Sequence, residues 1–185
     1  LDKVNERGMA SGAITDHAGM YGVPEVYEKA GDKGVTPIIG CEFYLNPFGM
    51  DKKQSKVDDI RRHLVLLARN NKGYKNLLKL STKAHLEGFY YQPRIDLNVL
   101  EKYAEGLIGL TACIEGEIPS LIISKNYQQA KKKALEYQRI LGEGNFYLEL
   151  QHLPNLEKQQ IANEGLKKIS RETGIPLVAT TDSHY

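Results

Sequence analysis

Tryptophan is absent from the 185 residues, and cysteine is represented only by Cys41 and Cys113. Two thiols cannot supply the disulfide framework of a small secreted domain, so both are read as reduced. No charge of one sign dominates: 25 Lys and Arg stand against 23 Asp and Glu, a net +2. That balance excludes a highly basic nucleic-acid tail and confines any DNA contact to a local patch. No apolar run approaches the ~20 residues of a bilayer span. The first twenty residues also lack a signal-peptide pattern. The expectation is a soluble, cytoplasmic protein without a membrane partner. Several motifs are missing too. There is no paired CxxC or HxxxH spacing for a zinc finger, no P-loop or GxGxxG, and no GxSxG nucleophile elbow.

What is present fits one folded domain over residues 1–185: 41% hydrophobic residues with 17 Gly and 7 Pro. Six strand-length apolar runs stand out, at Ala13-Ile14, Pro37–Ile39, Leu64–Ala68, Leu107–Leu110, Phe146–Leu150 and Pro176–Ala179. Most are continuous rather than alternating, as in parallel strands buried on both faces. Helical spacing separates them. The clearest helix spans Tyr127 to Leu141, with Asn126 as its expected N-cap and Gly142 beyond its end; others are expected at Leu156–Thr173, after Asp96, at Pro24–Lys33 and at Tyr74–Ala84. Alternating strand and helix predicts an α/β fold, as a barrel or an open doubly wound sheet. Leu1 to Gly8 reads as the last turns of a helix, and Tyr185 follows directly on potential functional residues, so a fragment of a longer chain is expected.

Reactive residues close four of the runs: Thr15-Asp16-His17, Cys41-Glu42, Thr111-Ala112-Cys113 and Thr181-Asp182-Ser183-His184. In parallel α/β folds the carboxyl ends of the strands gather at one rim, where distant residues meet. His, Asp, Glu and Cys are the ligands of divalent transition metals, and a carboxylate can bridge two ions. Each also has a plainer reading. Asp16-His17 suits a turn, Cys113 a small buried hydrophobe, and Asp182 a helix cap. His63 opens its run instead of closing it, which argues for the surface. Glu149 and His152 end the fifth run, placed to back the ligands or touch substrate. With no protein nucleophile in evidence, hydrolysis by metal-activated water is the remaining chemistry.

Five stretches carry a resemblance: Gly12 to His17, Thr36 to Glu42, His63 to Asn70, Gly88 to Asp96 and Pro176 to Tyr185. Together they closely resemble the polymerase-and-histidinol-phosphatase (PHP) domain of bacterial DNA polymerase III alpha subunits, over essentially the whole chain. Gly-Phe-Tyr-Tyr-Gln-Pro-Arg-Ile-Asp at 88–96 and the Glu105 to Thr111 segment resemble the replicative polymerases more than stand-alone phosphatases. The resemblance implies a distorted (βα)7 TIM-like barrel whose strand ends hold up to three divalent ions, Zn or Mn. It assigns metal ligation to His17, Glu42, His63, Cys113, Asp182 and His184, with Glu42 bridging, and leaves Asp16 to orient the loop. Glu42, Asp182 and His184 are then the catalytic candidates, and Arg94 a candidate phosphate contact whose plainer role is pairing with Asp96. The family's first strand, with His-x-His and a further Asp or His, would precede Leu1. Its absence would leave an apolar sheet edge exposed and weaken metal binding and hydrolysis by this chain alone.

The function so implied is that of a metal-dependent phosphoesterase, or 3′ to 5′ proofreading exonuclease, within a DNA-directed DNA polymerase. Its partners would be primer-template DNA, deoxynucleotides and other replisome subunits. Two other classes stand beside it: a stand-alone metallophosphatase, and a metal-free structural or partner-docking domain.

Overall fold

In the computed structural model, which describes residues 1–53 and 61–184, all six apolar runs are strands. Tyr185, the last residue of the closing motif, lies outside the described residues. The elements run α1 (Asp2–Glu6), β1 (Ser11–Ile14), α2 (Val23–Asp32), β2 (Thr36–Leu45), β3 (Arg62–Ala68), α3 (Asn71–Leu86), β4 (Arg94–Ile95), α4 (Leu97–Lys102), β5 (Leu107–Leu110), α5 (Glu117–Ile123), α6 (Tyr127–Leu141), β6 (Phe146–Gln151), α7 (Glu157–Thr173) and β7 (Leu177–Thr180). The strands form one curled sheet in the order β1-β2-β3-β5-β6-β7, with β4 also paired to β2. Among the described residues β1 and β7 are its two ends, and both alternate exposed with half-buried positions.

The sheet is not uniformly parallel. β1, β4, β5, β6 and β7 follow the parallel pattern, but β3 is antiparallel to both β2 and β5. A continuous apolar strand reads the same in either direction, because its composition reports burial on both faces and nothing about polarity. Leu64 and Leu66 pack with Phe43, Leu45, Leu77, Leu80 and Phe146 in the main core, between sheet and helices. The intervening Val65 joins Leu110 and Ala112 in a second cluster, against which Leu67, Ile108, Tyr147 and Val178 pack. Each fully buried aliphatic side chain stabilises the fold by roughly 1.5–3 kcal/mol relative to exposure.

The helices form where side-chain spacing gives them an inner face. Ala130, Ala134, Tyr137 and Leu141 of α6 are buried, as are Ala162, Leu166 and Ile169 of α7. Gly174, in the left-handed conformation at φ 75°, ends α7. Asn126 occupies the N-cap position of α6, but its side chain makes no capping bond. Capping of that kind occurs instead at Asn70, which accepts from Gly73 N–H at 3.0 Å, and at Asp96, which accepts from Val99 N–H at 2.9 Å. None of the described helices is long and apolar enough to cross a membrane.

Candidate metal centre

The direction of β3 decides the site. Because β3 runs against β2, its first residues lie beside the last residues of β2, with Tyr44 opposite His63 and Glu42 opposite Val65. His63 therefore reaches the same rim as the carboxyl ends of the parallel strands, and its place at the start of a run is no sign of a surface role. Past β1 the ladder resumes: Glu42 N–H donates to the Asp16 carbonyl at 3.0 Å and Ala18 N–H to the Glu42 carbonyl at 2.8 Å. That pairing sets His17 beside Glu42. On the other flank His63 pairs with Gly116, and Gly116 N–H closes a turn on the Cys113 carbonyl at 2.9 Å.

His17, Glu42 and His63 consequently converge, with one ligand atom from each inside a 4.8 Å span. His63 Nδ1 lies 2.5 Å from Glu42 Oε1, and His17 Nδ1 lies 3.8 Å from the same oxygen. Two further candidates touch this group. Cys113 Sγ is 3.5 Å from His63 Nδ1, and His184 Nε2 is 3.3 Å from His17 Nε2. The second contact brings the segment beyond β7 against the segment beyond β1. Asp182 lies beside His184, with Oδ1 4.0 Å from His184 Nδ1 and the His184 ring also bonded to the Asp182 carbonyl.

Burial grades these residues. Glu42 is 5% exposed at the centre, whereas His17 and His184 face solvent. Burial alone would push the His63 imidazole down, but Cys113 and Glu42 outweigh it and hold His63 up at about 10. The donors are mixed nitrogen, oxygen and sulfur, atoms that can hold a divalent transition metal ion.

The remaining site residues divide. Asp16 orients the loop, accepting from Gly22 N–H at 2.7 Å. Glu149 is buried beneath the rim, and His152 is exposed beyond the end of β6. Arg94 requires a correction. It is fully buried, its Nε donating to the Gly88 carbonyl at 3.2 Å and one Nη to the Lys52 carbonyl at 2.8 Å, with the guanidinium over the Tyr90 ring. A guanidinium enclosed in this way braces β4 and is not presented to a phosphate. Tyr44 was not anticipated. Its ring stacks on His17 at 5.9 Å and lies 5.2 Å from that of His63. The period-two alternation of β2 places it on the Glu42 face, which was the available signal.

Comparison with known proteins identifies the family. The PHP domain family model matches residues 1–153. The DNA polymerase III subunit alpha of Borreliella burgdorferi is 46% identical over 186 residues, covering 100% of this chain and 16% of that protein. The corresponding subunit of Aquifex aeolicus is 40% identical over 192 residues, covering 100% and 16%, and that of Thermus aquaticus 41% over 175 residues, covering 94% and 14%. The chain thus spans about a sixth of the length of the curated relatives it matches. A solved structure from Bifidobacterium adolescentis, provisionally described as a metal-dependent phosphoesterase, superposes with a TM-score of 0.55 at 11% identity, covering 100% of this chain and 81% of that one. At that identity the likeness concerns the fold.

Proposed function

The chain belongs to the PHP domain family, and from that premise we propose that residues 1–185 are the PHP portion of a bacterial DNA polymerase III alpha subunit, working as a metal-dependent phosphoesterase. The reading takes the curled sheet as part of a distorted (βα)7 barrel. One observation carries it: imidazoles, a carboxylate and a thiol from five separate stretches of sequence meet at one rim.

His17, Glu42, His63, Cys113, Asp182 and His184 would hold up to three divalent ions, with Glu42 as the shared carboxylate. When bound, such ions lower the pKa of water and offset charge developing on a phosphoryl group. The residues supply the rest. Buried Glu42 provides a fixed negative centre, and exposed His17 and His184 leave the outer side of the rim open to a phosphodiester. The substrate class is the 3′ end of a DNA strand, cleaved as a 3′ to 5′ proofreading step. Around it the parent polymerase would handle primer-template, deoxynucleotides and other replisome subunits in the cytoplasm.

The test uses the full-length protein containing this chain. Glu42→Ala and His184→Ala should each abolish exonuclease activity while leaving polymerisation nearly intact; equal loss of both activities would refute the hydrolytic reading. A metal-free bracing role is favoured by one observation, that Glu42 and His63 already pair closely with each other. Less than one equivalent of Zn²⁺ or Mn²⁺ in the full-length protein would select it.

A further inference from the structure

Beneath the rim lies a polar group that the metal reading does not use. Glu149 of β6 is 4% exposed, Thr111 2% and Gln151 1%. Glu149 N–H donates to Thr111 Oγ1 at 2.8 Å, at the end of β5. Its carboxylate Oε1 accepts from Thr180 Oγ1 at 2.5 Å, on β7, and from Gln151 Nε2 at 3.2 Å. The Glu149 backbone N–H thereby ties β6 to the end of β5, and its carboxylate ties β6 to β7. Its other oxygen, Oε2, is buried without a hydrogen-bond partner among the described residues. A carboxylate buried this deeply is costly where an aliphatic residue could pack instead.

The positions of the two threonines explain what such a residue does. Thr111 is two residues before Cys113 and Thr180 two before Asp182. In each case the chain then enters the left-handed region at a non-glycine residue, Ala112 at φ 58° and Asp182 at φ 48°. Such backbone persists only where its surroundings hold it. We propose that Glu149 is a positioning residue, the hub of a clamp that fixes the two strand ends presenting Cys113 and Asp182 to the rim. The proposal rests on the metal-site reading for its purpose but not for its geometry. Burial also raises the Glu149 pKa, against the hydrogen bonds from Thr180 and Gln151, and the charges of Asp182 and Glu42 add to the rise.

Glu149→Gln retains the Oε1 acceptor, and Glu149→Ala removes it. In the full-length protein stripped of metal, Thr111→Val, which removes the hydroxyl that accepts from Glu149 N–H, should speed amide hydrogen exchange of residues 112–116, and Glu149→Ala that of residues 178–184, each by about tenfold while α6 is unchanged. The zinc affinity of the Glu149→Ala protein, measured by chelator competition, should fall by about 10–100-fold. Glu149→Gln should restore both. A folded Glu149→Ala protein with wild-type exchange and zinc affinity would overturn the clamp, as would a Gln variant as impaired as Ala. If Glu149→Ala does not fold, Thr180→Val removes one hydroxyl and is judged by the same criteria over residues 178–184. Should the wild type itself take up no zinc, the metal reading fails, and the exchange measurement alone decides the clamp.

Discussion

Raising the pH from about 7.0 to about 8.5 should tighten zinc binding by about thirtyfold through His63 alone, because the imidazole must give up a proton to become a ligand. Burial works against the charged ring, yet Cys113 Sγ at 3.5 Å and Glu42 Oε1 at 2.5 Å carry its pKa from 6.5 up to about 10. At pH near 7.5, removing that proton costs about 3 kcal/mol, and the penalty shrinks by roughly 1.4 kcal/mol per pH unit until the imidazole is neutral. Chelator competition across this range measures the slope. NMR titration of the His63 ring in protein stripped of metal measures its cause. The same shift fixes the sign for stability: a raised folded-state pKa contributes stability fully present below 6.5 and lost as pH rises through about 10. The melting temperature of the stripped protein should therefore fall across that window from this group. A ring titrating near its ordinary value, with zinc affinity flat over the range, would refute the arrangement of Glu42, His63 and Cys113.

Two further substitutions probe the scaffold. A Cβ at Gly116 would lie 2.1 Å from the Thr111 carbonyl oxygen, so Gly116→Ala should cost about 1–3 kcal/mol in denaturant unfolding and weaken metal uptake by disturbing the Cys113 turn; a change below about 0.5 kcal/mol would contradict that close approach. Arg94→Ala should destabilise by about 3 kcal/mol, since it leaves a cavity and deprives two carbonyls of donors. Exonuclease activity per folded molecule should hold, and a selective loss of hydrolysis at unchanged stability would return Arg94 to the role of phosphate contact.

The strands and long helices were legible because their signals are local. Tyr127–Leu141 is helical between the residues its spacing predicts, and Leu64 to Ala68 is a strand. Features fixed by tertiary pairing were not legible. Nothing in Leu-Val-Leu-Leu-Ala distinguishes an antiparallel from a parallel strand, and that ambiguity made His63 look superficial until the resemblance placed it among the ligands. β4 has only Arg94 and Ile95, too few for a periodic signal, and the seven residues of α5 include Pro119. Arg94 misled in another way. Arginine is rarely buried, so composition favours exposure, and an enclosure to which the Gly88 and Lys52 carbonyls contribute reverses it.

The antiparallel strand also bears on why the site has a proton-holding centre. A rim built only from parallel strand ends would gather loops, each free to settle separately. Here β2 and β3 lie side by side in opposite directions, so Glu42 and His63 are held by six registered residue pairs from Gly40 to Leu45 and not by a loop. Backbone pairing thus sets the 2.5 Å separation of the carboxylate and the imidazole, and a divalent ion would have to displace the proton that His63 holds. His17 is tied to Glu42 by the resumed β1–β2 ladder, while Cys113 and His184 follow the left-handed residues Ala112 and Asp182 outside any strand. The rigid half of the rim should therefore set affinity through the proton it yields, and the turn-borne half should set how many ions remain. Substitutions at Glu42 or His63 would then change the pH slope of metal binding, whereas Cys113 and His184 variants would change stoichiometry and leave a residual slope.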